Sequence, residues 1–108
     1  MNKIYIQPEP PGSLKKFRVI LPGGKTIRFG QMGSSDYTIH KDPTRMNRYI
    51  MRHGGGPRGI RSSRENWTRQ GFRTAGFWSR WLLWSSPSLK KAAQNISQFL
   101  GIPVVLLK

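Results

Sequence analysis

Three arginines in the middle of the chain are spaced so that a helix would place them on one face. Arg45, Arg48 and Arg52 are three and four residues apart, the spacing at which helix side chains line up. A guanidinium group presents a planar set of donors that matches phosphate or carboxylate in a bidentate way. We therefore predict that this face binds a polyanion or an acidic partner. The same prediction covers the other clustered cations, which are Lys15, Lys16, Arg58, Arg61, Arg64, Lys90 and Lys91.

The charge balance of the whole chain indicates the same class of partner. Lysine and arginine total 19 in 108 residues against four acids, which gives a formal net charge of +15. A domain with this imbalance repels itself, and its usual counter-anions are nucleic acid, an acidic protein surface or anionic lipid. Phosphate contacts of this kind give affinity without reading a base sequence. The composition leaves the choice among these partners open.

Residues that carry acid–base catalysis are few and poorly matched. The chain has no cysteine and two histidines, His40 and His53. Asp36 precedes His40 by four residues, but a carboxylate there is more typical of a turn or helix cap than of a catalytic pair. The spacing is not typical of a metal site, and the glycines at 54–56 lack the lysine and hydroxyl residue of a phosphate-binding loop. We predict a protein that is not an enzyme, with no catalytic residue, metal, cofactor or small-molecule substrate.

A dense aromatic segment follows, with six large rings in 18 residues. Such rings either stack on the bases of a single strand or fill a core or interface. Because Trp78, Trp81 and Leu82 have helical spacing and a small domain needs bulky residues, we favour core or interface. We also predict cation–π contacts from Arg73 and Arg80 to these rings. The six rings are Trp67, Phe72, Phe77, Trp78, Trp81 and Trp84.

The first third of the chain predicts β-structure. Residues 16–21 and 25–29 are strand-like and flank Pro22-Gly23-Gly24, which predicts a hairpin with one apolar face. Residues 36–40 are a candidate third strand. Residues 104–107 suggest a terminal strand that pairs with the hairpin.

Residues 1–14 are predicted to be an extended arm, and residues 15–108 a single small domain. Ile4, Tyr5 and Ile6 favour a short strand, and the Pro8-Glu9-Pro10-Pro11 run favours polyproline II geometry. The arm is interpreted either as a stiff linker or as a segment that lies on a neighbouring subunit.

Helix signals divide the rest of the domain. Asp42 with Pro43 marks one helix start and Ser86 another, Thr74 caps a compact aromatic helix, and Gly101 ends the last helix. The predicted fold is α+β: a small antiparallel sheet, made of the hairpin and the terminal strand, packed with about three helices. The most apolar central run, residues 77–84, is too short to span a bilayer, so no transmembrane segment is predicted.

Several long motifs resemble a family of small basic proteins of unknown function encoded by large nucleocytoplasmic DNA viruses. They are F-R-V-I-L-P-G-G-K-T-I-R-F-G in the hairpin, S-D-Y-T-I-H-K-D at 35–42, R-M-N-R-Y-I-M-R-H at 45–53, E-N-W at 65–67, T-A-G-F-W-S-R-W-L-L-W at 74–84 and P-S-L at 87–89. The resemblance spans about residues 15–103. It carries no catalytic residues.

The resemblance implies a viral, non-enzymatic context. We expect a structural protein of the virion, present in the host cytoplasm during assembly, that acts as a minor capsid or core component. Its partners would be other capsid or virion proteins, or the anionic inner layer of the particle. The alternative is a DNA-binding protein that condenses the viral genome. Salt dependence of DNA affinity separates the two.

Overall fold

Alternating apolar residues near the start of the chain form three strands, and a fourth comes from its end. The computed structural model describes residues 3–54 and 66–107. Its strands are β1 (Ile4–Pro8), β2 (Lys15–Ile20), β3 (Thr26–Gln31) and β4 (Val104–Leu106).

Helices occupy the segment between β3 and β4. They are α1 (Tyr37–His40), α2 (Pro43–Gly54), α3 (Ala75–Trp78) and α4 (Leu89–Leu100). Residues Arg69–Gly71 form a short 3₁₀ turn, and α3 runs directly into a π-helical turn at Ser79–Leu83. The predicted α+β class is confirmed. In the part of the chain that the structure describes, no helix is long and apolar enough to cross a membrane.

The four strands form one sheet in the order β3-β2-β1-β4. The hairpin of β2 and β3 is confirmed, with Phe17 opposite Phe29 and Val19 opposite Ile27. The sheet is mixed rather than wholly antiparallel, because β4 runs parallel to β1. The terminal strand therefore pairs with β1. The sequence had suggested pairing with the hairpin, and that prediction was wrong.

The division into an arm at 1–14 and a domain at 15–108 does not correspond to the structure. Strand β1 is an inner strand, paired with β2 on one side and β4 on the other. Ile4 and Ile6 are completely buried in the same core as the rest of the sheet. Residues Ile4–Pro8 are extended, as predicted, but they belong to the domain and need no neighbouring subunit to order them.

The core lies between one face of the sheet and the helices α3, the π-helical turn and α4. Strand alternation sends every second side chain to this face. The buried core residues are Ile4, Ile6, Val19, Leu21, Ile27, Phe29, Phe77, Trp78, Leu82, Leu83, Ala92, Ala93 and Ile96.

Two local predictions were wrong, and both concern capping. Residues 36–40 form the single helical turn α1 and not a strand, because the Asp36 side chain accepts the Thr38 N–H and caps the turn. The last helix begins two residues later than predicted. Ser88, not Ser86, is its N-cap, since the Ser88 hydroxyl accepts the Lys91 N–H. Gly101 ends this helix in the left-handed conformation, as predicted.

Candidate anion-binding surface

Helix α2 carries the predicted arginine face, and its start is fixed by its own sequence. Asp42 accepts the Thr44 N–H at 2.9 Å, and Pro43 occupies the first helical position. Both features confirm the predicted helix start.

A stack of aromatic rings fixes how α2 sits on the domain. Tyr49 is buried and lies almost parallel to Trp84, with ring centres 4.4 Å apart and an interplanar angle of 4°. Its other neighbours are Trp67 at 6.0 Å and His53 at 4.3 Å. Tyr49 therefore anchors α2 to the aromatic rings of the domain, while Arg48, the residue just before it, is exposed.

Arg45, Arg48 and Arg52 are all exposed, as predicted for the binding face. With Trp84 they line an open groove of about 750 Å³, here called the arginine groove. The three guanidinium groups therefore share one concave surface and remain accessible to a partner.

A neighbouring groove of about 550 Å³ joins this surface to the sheet. Lys15, Lys16, Arg45 and Arg52 line it, and we call it the lysine–arginine groove. Arg45, Arg52 and Trp84 line both grooves, so the two are continuous. We refer to them together as the basic surface. The structure thus brings together five of the predicted binding residues from two distant parts of the sequence.

Carboxylates in the described residues are used inside the fold rather than against the arginines of α2. Asp36 binds Lys16 at 2.5 Å while capping α1, and Asp42 caps α2. Glu9 bonds to Arg18 and Arg28 on the outer face of the sheet. Lys15, Arg45, Arg48 and Arg52 have no carboxylate partner within residues 3–54 and 66–107. Their charge is therefore available to an external anion.

Glu9 shows how an acid in this basic chain is held ionised. The hydrogen bond from Arg18 is the main cause that lowers its pKa, and it outweighs the desolvation that raises it. Arg28 and Ser13 also interact with the carboxylate. Glu9 thereby ties the β1–β2 loop to the hairpin and balances two arginines that line neither groove of the basic surface.

The remaining predicted cations are not part of this surface. Lys90 and Lys91 are exposed in the first turn of α4, and they line neither groove. Lys41, which was not among the predicted binding residues, donates to the Pro87 carbonyl at 2.8 Å and so links the end of α1 to the segment before α4. Arg58, Arg61 and Arg64 lie outside the described residues.

The aromatic segment behaves mainly as core, the interpretation that the sequence favoured. Trp67, Phe77 and Trp78 are buried, whereas Trp81 and Trp84 are partly exposed at the edge of the core. The indole N–H of Trp78 donates to the Phe72 carbonyl at 2.7 Å. The indole N–H of Trp81 likewise donates to the Trp67 carbonyl at 2.8 Å. These bonds hold the tryptophans in fixed orientations.

The predicted cation–π contacts are confirmed, and one of them is buried. Arg73 lies 5.3 Å from the Phe72 ring at the surface. Arg80 is only 8% exposed and sits 4.4 Å from the Trp81 ring and 5.3 Å from the Trp67 ring. It donates to the Trp84 carbonyl at 2.7 Å, and burial lowers its pKa. Arg80 is thus a structural cation of the aromatic core and not a residue of the basic surface.

Both histidines have packing roles in the structure. His40 accepts the Asp42 N–H at its Nδ1 atom and lies 5.3 Å from the Trp84 ring. His53 stacks on Tyr49. Within the described residues no group of three or more metal-binding side chains occurs.

Sequence reasoning missed the residues that position the basic surface. Tyr49 of α2 stacks on Trp84, which lies 35 residues further on, and no local pattern connects the two. Asp36 was recognised as a capping residue, but its ion pair with Lys16 was not foreseen. The dense aromatic segment was the one sequence signal for such a contact, because so many rings need packing partners elsewhere in the chain.

Comparison with known proteins adds one match. A model of a family of unknown function, DUF5754, matches residues 8–53. The match runs from the end of β1 through α2, so it includes the arginine face but not the aromatic segment. Searches of curated proteins and of solved structures found no match.

Proposed function

We propose that this chain is a non-enzymatic structural protein of a large DNA virus particle. It would bind acidic subunits or the anionic inner layer of the virion as a minor capsid or core component. The viral setting rests on the resemblance of the sequence motifs to proteins of such viruses. The observation that carries the binding role is the exposed set Arg45, Arg48 and Arg52 on one face of α2, for which the described residues offer no carboxylate partner.

The geometry supports binding to an extended anionic surface rather than to a small ligand. The arginine and lysine–arginine grooves are open, continuous and lined by cations from both α2 and the β2 strand. Arginine pairs well with carboxylate and phosphate because its fork of donors meets two oxygens at once. A partner with many spaced negative charges would therefore use the whole surface.

A genome-binding role is the second candidate, and one observation favours it. Lys15, which has no carboxylate partner among the described residues, extends the basic surface beyond α2, so the cations follow a groove and not a single patch. A groove of this kind suits the sugar–phosphate backbone, which presents one negative charge after another. In this case the partner would be viral DNA, contacted without base readout.

Gentle disruption of purified particles tests the proposal and separates its two forms. The protein is followed by immunoblot after the capsid shell and the DNA are resolved on a density gradient. We expect it to sediment with shell proteins. Release with the DNA, and loss from the DNA fraction after nuclease treatment, would support the genome-binding form instead. Absence of the protein from intact particles would refute the virion role.

A further inference from the structure

A third groove lies apart from the basic surface and is mostly apolar. It has a volume of about 990 Å³, at the upper end of the range for ligand pockets. Phe72, Trp81, Phe99 and Ile102 line it, and we call it the aromatic groove. Phe99 is 40% exposed although it is a large apolar residue. A concave apolar surface of this size is typical of an interaction site.

The aromatic groove and the basic surface share no lining residue. The ring stack Trp84–Tyr49–Trp67 separates them, with Trp84 at the basic surface and Trp67 at the aromatic groove. Two different partners can therefore bind without competing for the same side chains.

The rim of the aromatic groove is cationic. Arg69 lines it, and Arg73 lies over the Phe72 ring beside it. No carboxylate of the described residues lines this groove. Charge complementarity therefore favours a partner whose apolar side chains are flanked by carboxylates.

Other occupants fit the observations less well. A second copy of the chain would bring a net charge of +15 against +15, which opposes self-association. A lipid surface needs a protruding apolar patch, whereas this site is concave. Nucleobases would need free ring faces, but Trp67 is 1% exposed and Arg80 covers one face of Trp81.

We propose that the aromatic groove docks a short acidic segment of a partner protein. Apolar side chains of that segment would pack against Phe99 and Trp81, and its carboxylates would pair with Arg69 and Arg73. This inference goes beyond the proposed function, because it concerns a separate surface and does not depend on what the basic surface binds. It makes the chain a connector with two binding faces.

The probe is a fluorescein-labelled synthetic peptide in which phenylalanines and a leucine are flanked by glutamates and aspartates. Its binding to the full chain is followed by fluorescence anisotropy. A second peptide keeps the acids and replaces the apolar residues with serine. Protein variants are Phe99→Ser, Arg69→Glu and the arginine triple variant R45Q/R48Q/R52Q. Gln98→Ala, an exposed neighbour on α4 that lines no groove, is the matched control.

We expect the first peptide to bind, and Phe99→Ser and Arg69→Glu each to weaken binding by about tenfold, as for truncation of a central interface residue. The triple variant and Gln98→Ala should bind within about twofold of wild type, and the serine peptide should bind about tenfold more weakly. Circular dichroism checks that each variant is folded. If Phe99→Ser does not fold, Arg69→Glu alone tests the contribution of the aromatic groove to peptide binding.

Three results would overturn the inference. The first is no binding of the apolar acidic peptide. The second is loss of binding in R45Q/R48Q/R52Q with full binding in Arg69→Glu, which would assign the peptide to the basic surface. The third is a dimer in analytical ultracentrifugation that Arg69→Glu abolishes, which would make the groove a self-association face. Failure of the virion proposal would leave this result unaffected, since the peptide assay does not involve particles.

Discussion

Strand β1 offers a direct test of the fold, because the sequence predicted an arm there and the structure shows an inner strand of the sheet. Ile6 is completely buried and pairs with Val19 of β2 and Leu106 of β4. Its carbonyl also accepts the Leu107 N–H at 2.7 Å. Replacing Ile6 with alanine removes core volume from the centre of the sheet while it leaves these backbone bonds possible.

The expected cost is large compared with the stability of a small domain. Truncation of a buried isoleucine to alanine costs about 2–5 kcal/mol, depending on how far the cavity can collapse. A domain of this size has a total stability of about 5–15 kcal/mol. The Ile4→Ala/Ile6→Ala pair would cost about 4–10 kcal/mol if the two effects add, which is comparable with the total stability of the domain.

Urea denaturation followed by tryptophan fluorescence measures this directly. With a typical urea dependence for small proteins, Ile6→Ala should lower the midpoint by on the order of 1–3 M. Lys3→Ala is the matched control, because Lys3 is exposed just before the strand and should change stability by about 0.5 kcal/mol or less. A midpoint for Ile6→Ala equal to that of the control would show that β1 is a dispensable arm and refute its place in the core.

Three further predictions concern buried polar and aromatic groups. Because the pKa of Glu9 is lowered, its contribution is present above the ordinary value of 4.5 and is lost as the pH falls through the lowered folded-state value. Thermal melts of Glu9→Gln should therefore show a weaker acid destabilisation than wild type, and identical pH profiles would contradict this. Trp78→Ala should cost about 3–5 kcal/mol in urea unfolding, since the ring is fully buried; a cost below about 1 kcal/mol would contradict its core position. Arg80→Lys keeps a cation but loses the planar stacking on Trp81, so we expect a loss of about 1–2 kcal/mol by the same measurement, and no loss would argue against the cation–π role.

The features that the sequence predicted correctly are those encoded by neighbouring residues. Asp42 and Pro43 start α2 through contacts within one turn, and alternation around a glycine turn specifies the β2–β3 hairpin. Arg45 and its helical neighbours were placed on an exposed face because helix spacing alone decides which residues share a face.

The features that it missed depend on contacts between distant residues. Ile4 pairs with Val104, and no local pattern states that these two short apolar segments lie side by side. The burial of Arg80 was also not foreseen, because an arginine in a short helix is usually solvated. It is buried here because Trp67 and Trp81 surround its guanidinium group.

The basic surface allows a matched-charge comparison. The arginine triple variant R45Q/R48Q/R52Q removes three charges from α2 at exposed positions, so each change should alter folding stability by about 0.5 kcal/mol or less. K3Q/K25Q/K90Q removes the same charge from exposed residues that line none of the three grooves. Any difference in anion binding between the two variants therefore reports position and not net charge.

The most direct test is the salt dependence of binding to two polyanions, duplex DNA and polyglutamate, for wild type and both triple variants. If the basic surface holds the anionic partner, R45Q/R48Q/R52Q should bind more weakly than K3Q/K25Q/K90Q to whichever polymer wild type prefers. Its slope of log affinity against log salt for DNA should fall by about three, near one unit for each lost phosphate contact. Equal affinities and equal slopes for the two variants would contradict the account, because binding would then follow net charge alone.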